Sequence, residues 1–459
     1  MLFSVSRTRF YKQLHPRMWR DRILIWTAAI VSGLAIVGFV MLTEYANRWF
    51  AELHRAHFWA PLLLTPLGGA AVVWITQRYF ASASGSGIPQ VIAALHPHMP
   101  ENGKNFLVSL RLTIGKMVLG AAAMFAGFST GREGPCVQIA AGVMQGFHRW
   151  VFHKSMLRER DLILAGGAAG IAAAFNAPLA GIVFAIEELS KRFEERSSGL
   201  LITAIVVAGL VAVSAMGNLS YFGRVSTNAA LIDILWPGVL ATIFGGFFGG
   251  LFSQLVIHSF QNKTWRVNQW RGRYPVRFAA ACGLIVAVLG IVGGGAAFGS
   301  GYAASEGLVS GTGDVSPLYF IEKFIATWLS FWSGVPGGIF APALAVGAGI
   351  GRDVSVLTAA VSPPAVIALA MVAFLAAVTQ APITSFIIVM EMTEGHNMVL
   401  SLMAAALLAS GISRLMGEPL YTVLAHLHLA RVDSMMAKVQ AKSTPSPAAA
   451  PAPVAAKPE

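Results

Sequence analysis

The uncharged apolar run from Ile23 to Thr43 matches the length a helix needs to cross the hydrocarbon core of a bilayer, about 20 residues. About a dozen further apolar segments follow it, several only about 10 to 17 residues long and so too short to span alone. Short helices at membrane depth must end where they meet something polar, because lipid cannot satisfy a free backbone group. With 56% of 459 residues apolar and 12% charged, against about 25% charged in a soluble domain, the chain reads as an all-α polytopic membrane protein and not as a soluble enzyme.

Charge sets the orientation. Arg7, Arg9, Lys12, Arg17, Arg20 and Arg22 crowd the segment 1–22 beside one acid, Asp21, so the positive-inside rule places the N-terminus in the cytoplasm. A signal peptide has a shorter apolar run, and here charged Glu44 and Arg48 follow where a cleavage site would lie. The basic connectors 149–160 and 263–277 contrast with 300–317, which holds Glu306 and Asp314 without Lys or Arg; the former are expected on the cytoplasmic face, the latter outside. The net charge of +12 is spread over such connectors rather than along one aromatic-laced patch, which argues against nucleic acid. Cys136 and Cys282 lie in apolar runs with neither CxxC nor metal-ligand spacing, so neither a disulfide scaffold nor a metal site is expected. From about Met436 the Ala/Pro/Ser/Lys composition predicts a disordered tail.

The chain repeats. Lys116, Gly127, Gly131, Pro135 and Gly142 recur at one constant offset as Lys323, Gly334, Gly338, Pro342 and Gly349; at a slightly shorter offset Ala177-Pro178 recurs as Ala381-Pro382 and Glu187 as Glu391. Two halves interrupted by Gly and Pro at matching points are the sequence sign of a transporter with its site between the repeats. The organisation read from this is a basic segment 1–22, a first half 23–217, a second half 230–430 and a tail 436–459. The matches alone leave open whether the repeats are inverted.

Three segments share a design in which a Gly-containing turn and a proline precede a short apolar helix: Gly85-Ser86-Gly87-Ile88-Pro89, Gly131-Arg132-Glu133-Gly134-Pro135, and Gly337-Gly338-Ile339-Phe340-Ala341-Pro342. Proline suits a first helical turn, where its missing N–H would be unpaired anyway, and glycine lets N–H groups approach a ligand. Each segment thus presents a helix N-terminus, an anion-binding end. One such end contributes about 0.3 to 2 kcal/mol, far less than the cost of stripping a small ion of water, on the order of tens of kcal/mol in the idealised limit. Several must converge. Taken singly, each segment is equally well read as ordinary Gly/Pro packing of membrane helices.

Glu133 is an ionisable residue at membrane depth, and its repeat partner is Phe340, so the fold requires no acid there. A carboxylate competes for the N–H cluster that would hold an anion, and protonation releases it; a salt bridge with neighbouring Arg132 is the alternative. Glu187 and Glu188 end the run 177–186 beside Lys191 and Arg192, where solvated charge at a cytoplasmic helix end is the plain reading. Since Glu187 is matched by Glu391 whereas Glu188 faces Met392, Glu188 is the more specific candidate. Lys116 and Lys323 read as structural cations near helix ends, and Tyr421, by itself, as an interfacial aromatic. No histidine falls in the three segments, and no HExxH or GxSG motif is present, which weighs against an intramembrane hydrolase.

In order and together, these segments resemble the CLC family of chloride channels and proton/chloride antiporters, of the bacterial type without C-terminal CBS domains, from the first helix to about Ala425. The resemblance implies an inverted repeat of many helices of uneven length, several not fully spanning, and a homodimer with one pore per subunit in the membrane lipid of a bacterial inner (cell) membrane. It places anion coordination on Ser86 and Tyr421 through their hydroxyls and on Ile339 and Phe340 through their N–H groups. It places the external gate on Glu133 and a proton-side glutamate on Glu188. Gly85, Gly87, Pro89, Gly131, Arg132, Gly134, Pro135, Gly337, Gly338, Pro342 and Glu187 would support them. Members that export fluoride lack the serine and tyrosine, and nitrate-preferring members have proline in place of Ser86, so chloride is favoured. Passive channels usually have an apolar residue at Glu188, which favours chloride/proton exchange over a voltage- or pH-gated channel. No cofactor is implied beyond the transported chloride and protons.

Overall fold

The computed structural model describes residues 16–150, 158–191, 198–217, 221–223, 225 and 231–443. Most of the segment 1–22, the middle of the 149–160 connector and the tail beyond Ser443 lie outside the described residues. The first half is built from α1 (Pro16–Ala56), α2 (Pro61–Tyr79), α3 (Ile88–Ala94), α4 (Glu101–Leu107), α5 (Leu110–Phe125), α6 (Glu133–Trp150), α7 (Glu159–Phe175), α8 (Pro178–Phe184) and α9 (Ser198–Met216). The second comprises α10 (Leu231–Gln261), α11 (Arg266–Arg273), α12 (Pro275–Val292), α13 (Tyr302–Ser310), α14 (Tyr319–Ser333), α15 (Phe340–Leu357), α16 (Pro363–Thr379), α17 (Pro382–Met392) and α18 (Val399–Met416), with α19 (Leu420–Ser443) returning beneath the first half to pack on α3. Six helical stretches among the described residues are long and apolar enough to cross a membrane, and the chain is a multi-pass integral membrane protein.

Four boundaries differ from the sequence reading. The first helix extends well past Ile23–Thr43 at both ends, since helix continues through polar flanks once its middle is packed. The 263–277 connector holds α11, where Trp265 stacks on Trp332 at 5.3 Å and Asn268 accepts the Trp332 indole N–H. The 300–317 connector holds α13. The last helix continues through Ser443, beyond the tail boundary set at 436.

Repeat-equivalent helices make equivalent pairings. The α6–α7 pair corresponds to α15–α16, α7–α9 to α16–α18, and α1–α9 to α10–α18. Even the joints match: α7 and α16 end on left-handed Asn176 and Gln380, whose side-chain amides donate to the carbonyls of Gly217 and Gly417 at 3.3 and 2.9 Å. The halves meet where Gly131 and Gly338 pair antiparallel, each N–H donating to the other's carbonyl at 2.7 Å. Since these are equivalent residues running in opposite directions, the repeats are inverted and the N-termini of α6 and α15 face each other.

Glycine at intervals of four residues lets the central helices touch backbone to backbone, the small-residue mode of membrane packing. A Cβ on Gly166 or Gly170 of α7 would fall 2.6 Å from the carbonyl oxygens of Ala140 or Cys136 on α6; Gly347 and Gly351 of α15 would meet the Cα atoms of Met371 and Ile367 on α16 at 2.6 and 2.5 Å. Backbone cannot step aside as a flexible side chain can. Gly170→Ala is therefore expected to destabilise the fold by about 1–3 kcal/mol, read as a lower thermal midpoint in detergent; an unchanged midpoint would show that the α6–α7 seam can relax.

Candidate functional site

The three Gly/Pro segments, far apart in sequence, are joined at the centre of the molecule by backbone hydrogen bonds. Besides the Gly131–Gly338 pair, the Gly85 N–H donates to Val335 O at 3.2 Å and the Gly337 N–H to Gly85 O at 3.0 Å. Gly87 adopts φ 110°, a conformation closed to most residues with a side chain, and a Cβ there would lie 2.7 Å from Gly134 O. At Gly134 a Cβ would come 2.2 Å from Ser86 Oγ, so glycine at this position is what allows the serine hydroxyl to reach the start of α6. Gln90 fixes the turn, accepting the Gly87 N–H at 3.0 Å and donating to Ser84 O at 2.7 Å.

A buried cation backs this turn. Lys116 donates to the carbonyls of Ala83 and Gly85 at 2.7 and 2.5 Å, and its equivalent Lys323 donates to Ala297, Phe298 and Gly299 at 3.1, 3.3 and 2.7 Å. Both lysines are fully buried within their helices, which corrects the expectation of cations near helix ends. They hold two equivalent loops.

Ser86, Ile339, Phe340 and Tyr421 are all buried here. Ile339 is the N-cap of α15 and Phe340 its first residue, so their N–H groups belong to a turn that has no preceding carbonyls to pair with. Phe340 stacks on Tyr421, with ring centroids 6.0 Å apart and planes 13° from parallel, and packs on Phe175 and Phe184. The Tyr421 hydroxyl lies near Ser86, and neither hydroxyl has a hydrogen-bond partner among the described residues. Tyr421 is thus no interfacial aromatic. The set is two hydroxyls and two helix-end N–H groups, all neutral donors in an apolar surround. Such donors suit a small anion, because neutral dipoles can replace its water and still let it leave.

Glu133, wholly buried, directs its carboxylate at the same helix end. Its Oε2 accepts the N–H of Ala341, in the first turn of α15, at 3.3 Å. Its Oε1 accepts the Tyr302 hydroxyl at 2.8 Å. Arg132 does not pair with Glu133; it bonds Glu44 of α1 at 2.8 Å and lies over the rings of Tyr221 and Tyr302 at 5.4 and 5.2 Å. Tyr302 went unnoticed in the sequence because 300–317 read as a polar connector. The signal was present, since Gly299-Ser300-Gly301 repeats Gly85-Ser86-Gly87, and Gly299 and Gly301 share their positive φ.

Glu187 and Glu188 sit on one wide helical turn, Ala185–Ser190, and separate completely. Glu187 crosses to the other half, accepting the N–H groups of Ile383 and Thr384 at the start of α17 at 3.0 and 2.6 Å. Glu391 returns the contact, accepting those of Leu179 and Ala180 at the start of α8 at 3.4 and 2.9 Å. The two are reciprocal helix caps, not solvated charges. Glu188 turns inward, buried, with Oε1 unpartnered among the described residues and within electrostatic range of the Tyr421 hydroxyl. Lys191 ties this turn to the head of α19, donating to Thr422 at 2.8 Å. No cluster of three or more His, Cys, Asp or Glu suited to a metal ion occurs among the described residues.

Residues 68–414 match the family described as voltage gated chloride channel. The chain is 30% identical to the H(+)/Cl(-) exchange transporter ClcA of Salmonella gallinarum over 97% of each chain, and 30% identical to that of Salmonella typhimurium over 95% of each. Among solved structures it resembles a slow cyanobacterial Cl-/H+ antiporter, with TM-score 0.77 and 26% identity over 91% of this chain and 99% of the other. In fold alone it also resembles a CLC-type fluoride/proton antiporter, with TM-score 0.72 and 20% identity over 89% of this chain and 98% of the other. An inverted repeat whose helix ends converge on buried hydroxyls and a buried carboxylate, with relatives alike over nearly the whole length, places this chain in the CLC, or voltage gated chloride channel, family.

Proposed function

We propose that this protein is a secondary active transporter exchanging chloride for protons, with Glu133 alternately blocking the anion path and carrying a proton. One observation carries the reading: the Glu133 carboxylate occupies the first turn of α15 through Ala341 N–H, beside the donors of Ile339 and Phe340 that a dehydrated anion would need. Carboxylate and chloride are then alternatives for one set of donors. Protonation cancels the charge that holds the side chain at the helix end, so the arm swings out, taking the proton and opening the donors to chloride.

Exchange is favoured over a passive channel by Glu188, a buried carboxylate beside Tyr421 with one oxygen unpartnered among the described residues. A group so placed can receive protons from the cytoplasmic side without touching the anion. The named relatives, exchangers and an antiporter, support the same reading. Ser86 and Tyr421 favour chloride over fluoride and nitrate. The molecule works as a homodimer with one pore per subunit in a bacterial inner membrane, N-terminus inside; exposed apolar side chains at Leu179, Leu210, Ile383 and Leu407 give α8, α9, α17 and α18 a face suited to a second copy.

In proteoliposomes with a chloride gradient and external pH recorded, the wild type is expected to move protons uphill, faster as the external side is acidified. Glu133→Gln should pass chloride with no uphill proton movement, and Glu188→Gln should halt protons while chloride still flows. Wild-type chloride flux without protons would establish the channel reading. Uphill proton movement by Glu133→Gln would end the gate assignment.

Tyr421→Phe keeps the stack on Phe340 and removes one donor. Loss of a hydrogen bond to a charged partner, about 1.5–3 kcal/mol, corresponds to about 10- to 100-fold weaker chloride binding by calorimetry, and Tyr421→Ala should also loosen coupling. Ser86→Pro should lower discrimination of chloride over nitrate in liposome flux while total anion transport survives. Unchanged affinity and coupling in Tyr421→Ala, or an unchanged chloride-to-nitrate ratio in Ser86→Pro, would remove that residue from the anion site.

A further inference from the structure

We propose that Tyr302 is a positioning residue that latches the Glu133 carboxylate over the first turn of α15, held to this task by Arg132 and Tyr221. The inference rests on the reading of Glu133 as the gate and adds what keeps that gate shut.

The bond from the Tyr302 hydroxyl to Glu133 Oε1, 2.8 Å, is shorter than the 3.3 Å bond from Ala341 N–H to Oε2. Both donors come from the second half, so a carboxylate from the first half is gripped across the repeat interface. The groups that face it are Arg132 and Cys136 of its own segment, Tyr302 of α13, Tyr221, and Tyr421 of α19. Of these side chains only Tyr302 hydrogen-bonds the carboxylate among the described residues.

The phenol is itself immobilised. Its ring stacks on Tyr221 at 5.4 Å and 27° and packs on Phe222 at 5.6 Å. The Arg132 guanidinium lies 5.2 Å from its centroid and 5.4 Å from that of Tyr221, close enough for cation–π attraction to both rings. Glu44 fixes that guanidinium from α1 at 2.8 Å. Three other parts of the chain thus converge to aim one hydroxyl.

The fold does not require a phenol here. By the correspondence of Gly299-Ser300-Gly301 with Gly85-Ser86-Gly87, the residue equivalent to Tyr302 is Ile88, which opens α3 with no hydroxyl to give. A donor to a carboxylate favours its charged form, which is the form that blocks the anion path. The tyrosine keeps its proton throughout, and the proton that opens the gate comes from external water. The latch therefore holds the carboxylate over the donors of α15 that chloride would need.

Tyr302→Phe removes the hydroxyl and keeps both ring contacts. In proteoliposomes at one fixed external pH its chloride turnover should rise by about tenfold, the change expected from losing one hydrogen bond to a charged group, with the chloride-to-proton ratio unchanged. A turnover equal to that of the wild type overturns the latch. The substitution is repeated on Glu133→Gln, where the latch has no carboxylate to hold and Tyr302→Phe should lose its effect. An equal change in chloride flux on both backgrounds would show that the tyrosine acts on the pore directly, which also overturns it. Failure of the gate reading is seen separately, as uphill proton movement by Glu133→Gln alone, and that result removes the inference with it.

Discussion

A small anion crosses hydrocarbon only if its water is replaced by donors fixed in advance, and no single helix end is strong enough to do this. Donors from several helix ends must therefore meet at membrane depth, and the architecture follows from that requirement. Helices that stop short of spanning, glycines where backbones touch, and an antiparallel junction between Gly131 and Gly338 are the means by which the N-termini of α6 and α15 come face to face. The cost is a set of irregular loops in a medium that satisfies no backbone group. Lys116 and Lys323, buried against loop carbonyls, meet that cost from within.

The buried charges then divide by what surrounds them. Arg132 has Glu44 and two aromatic rings, Glu187 and Glu391 have helix N-termini, and each lysine has carbonyls. All of these hold structure together. Glu188, Ser86 and Tyr421 leave polar atoms without partners among the described residues, a state that is costly in a packed interior. That expense is understandable where a mobile ion is to pass.

Much of this was legible in sequence. The first apolar run and the shortage of charge required a bilayer, and the Gly/Pro spacing of the three segments marked helix ends in the middle of it. The offset between halves paired Glu187 with Glu391 and so isolated Glu188, although only the structure revealed that the paired glutamates cap each other's helices. The reading failed where it relied on polarity. The 300–317 connector looked like external loop, and its tyrosine was passed over even though the Gly-Ser-Gly before it repeats the one at Gly85.

The sequence by itself determined that this chain spans a membrane, that it is built as two related halves, and where Gly/Pro turns open helices at membrane depth. Those are local or periodic properties, written in composition, spacing and repeat. Tertiary structure alone decided the partners: that Arg132 turns to Glu44 rather than to its neighbour Glu133, that Tyr421 lies stacked on Phe340 rather than at the lipid interface, and that Tyr302 reaches Glu133 from the opposite half. The physical reason is that the direction of a long side chain is set by whatever packs around it. Here that surround is supplied by residues far along the chain, 88 positions away for Arg132 and Glu44 and 169 for Glu133 and Tyr302, which no local pattern records.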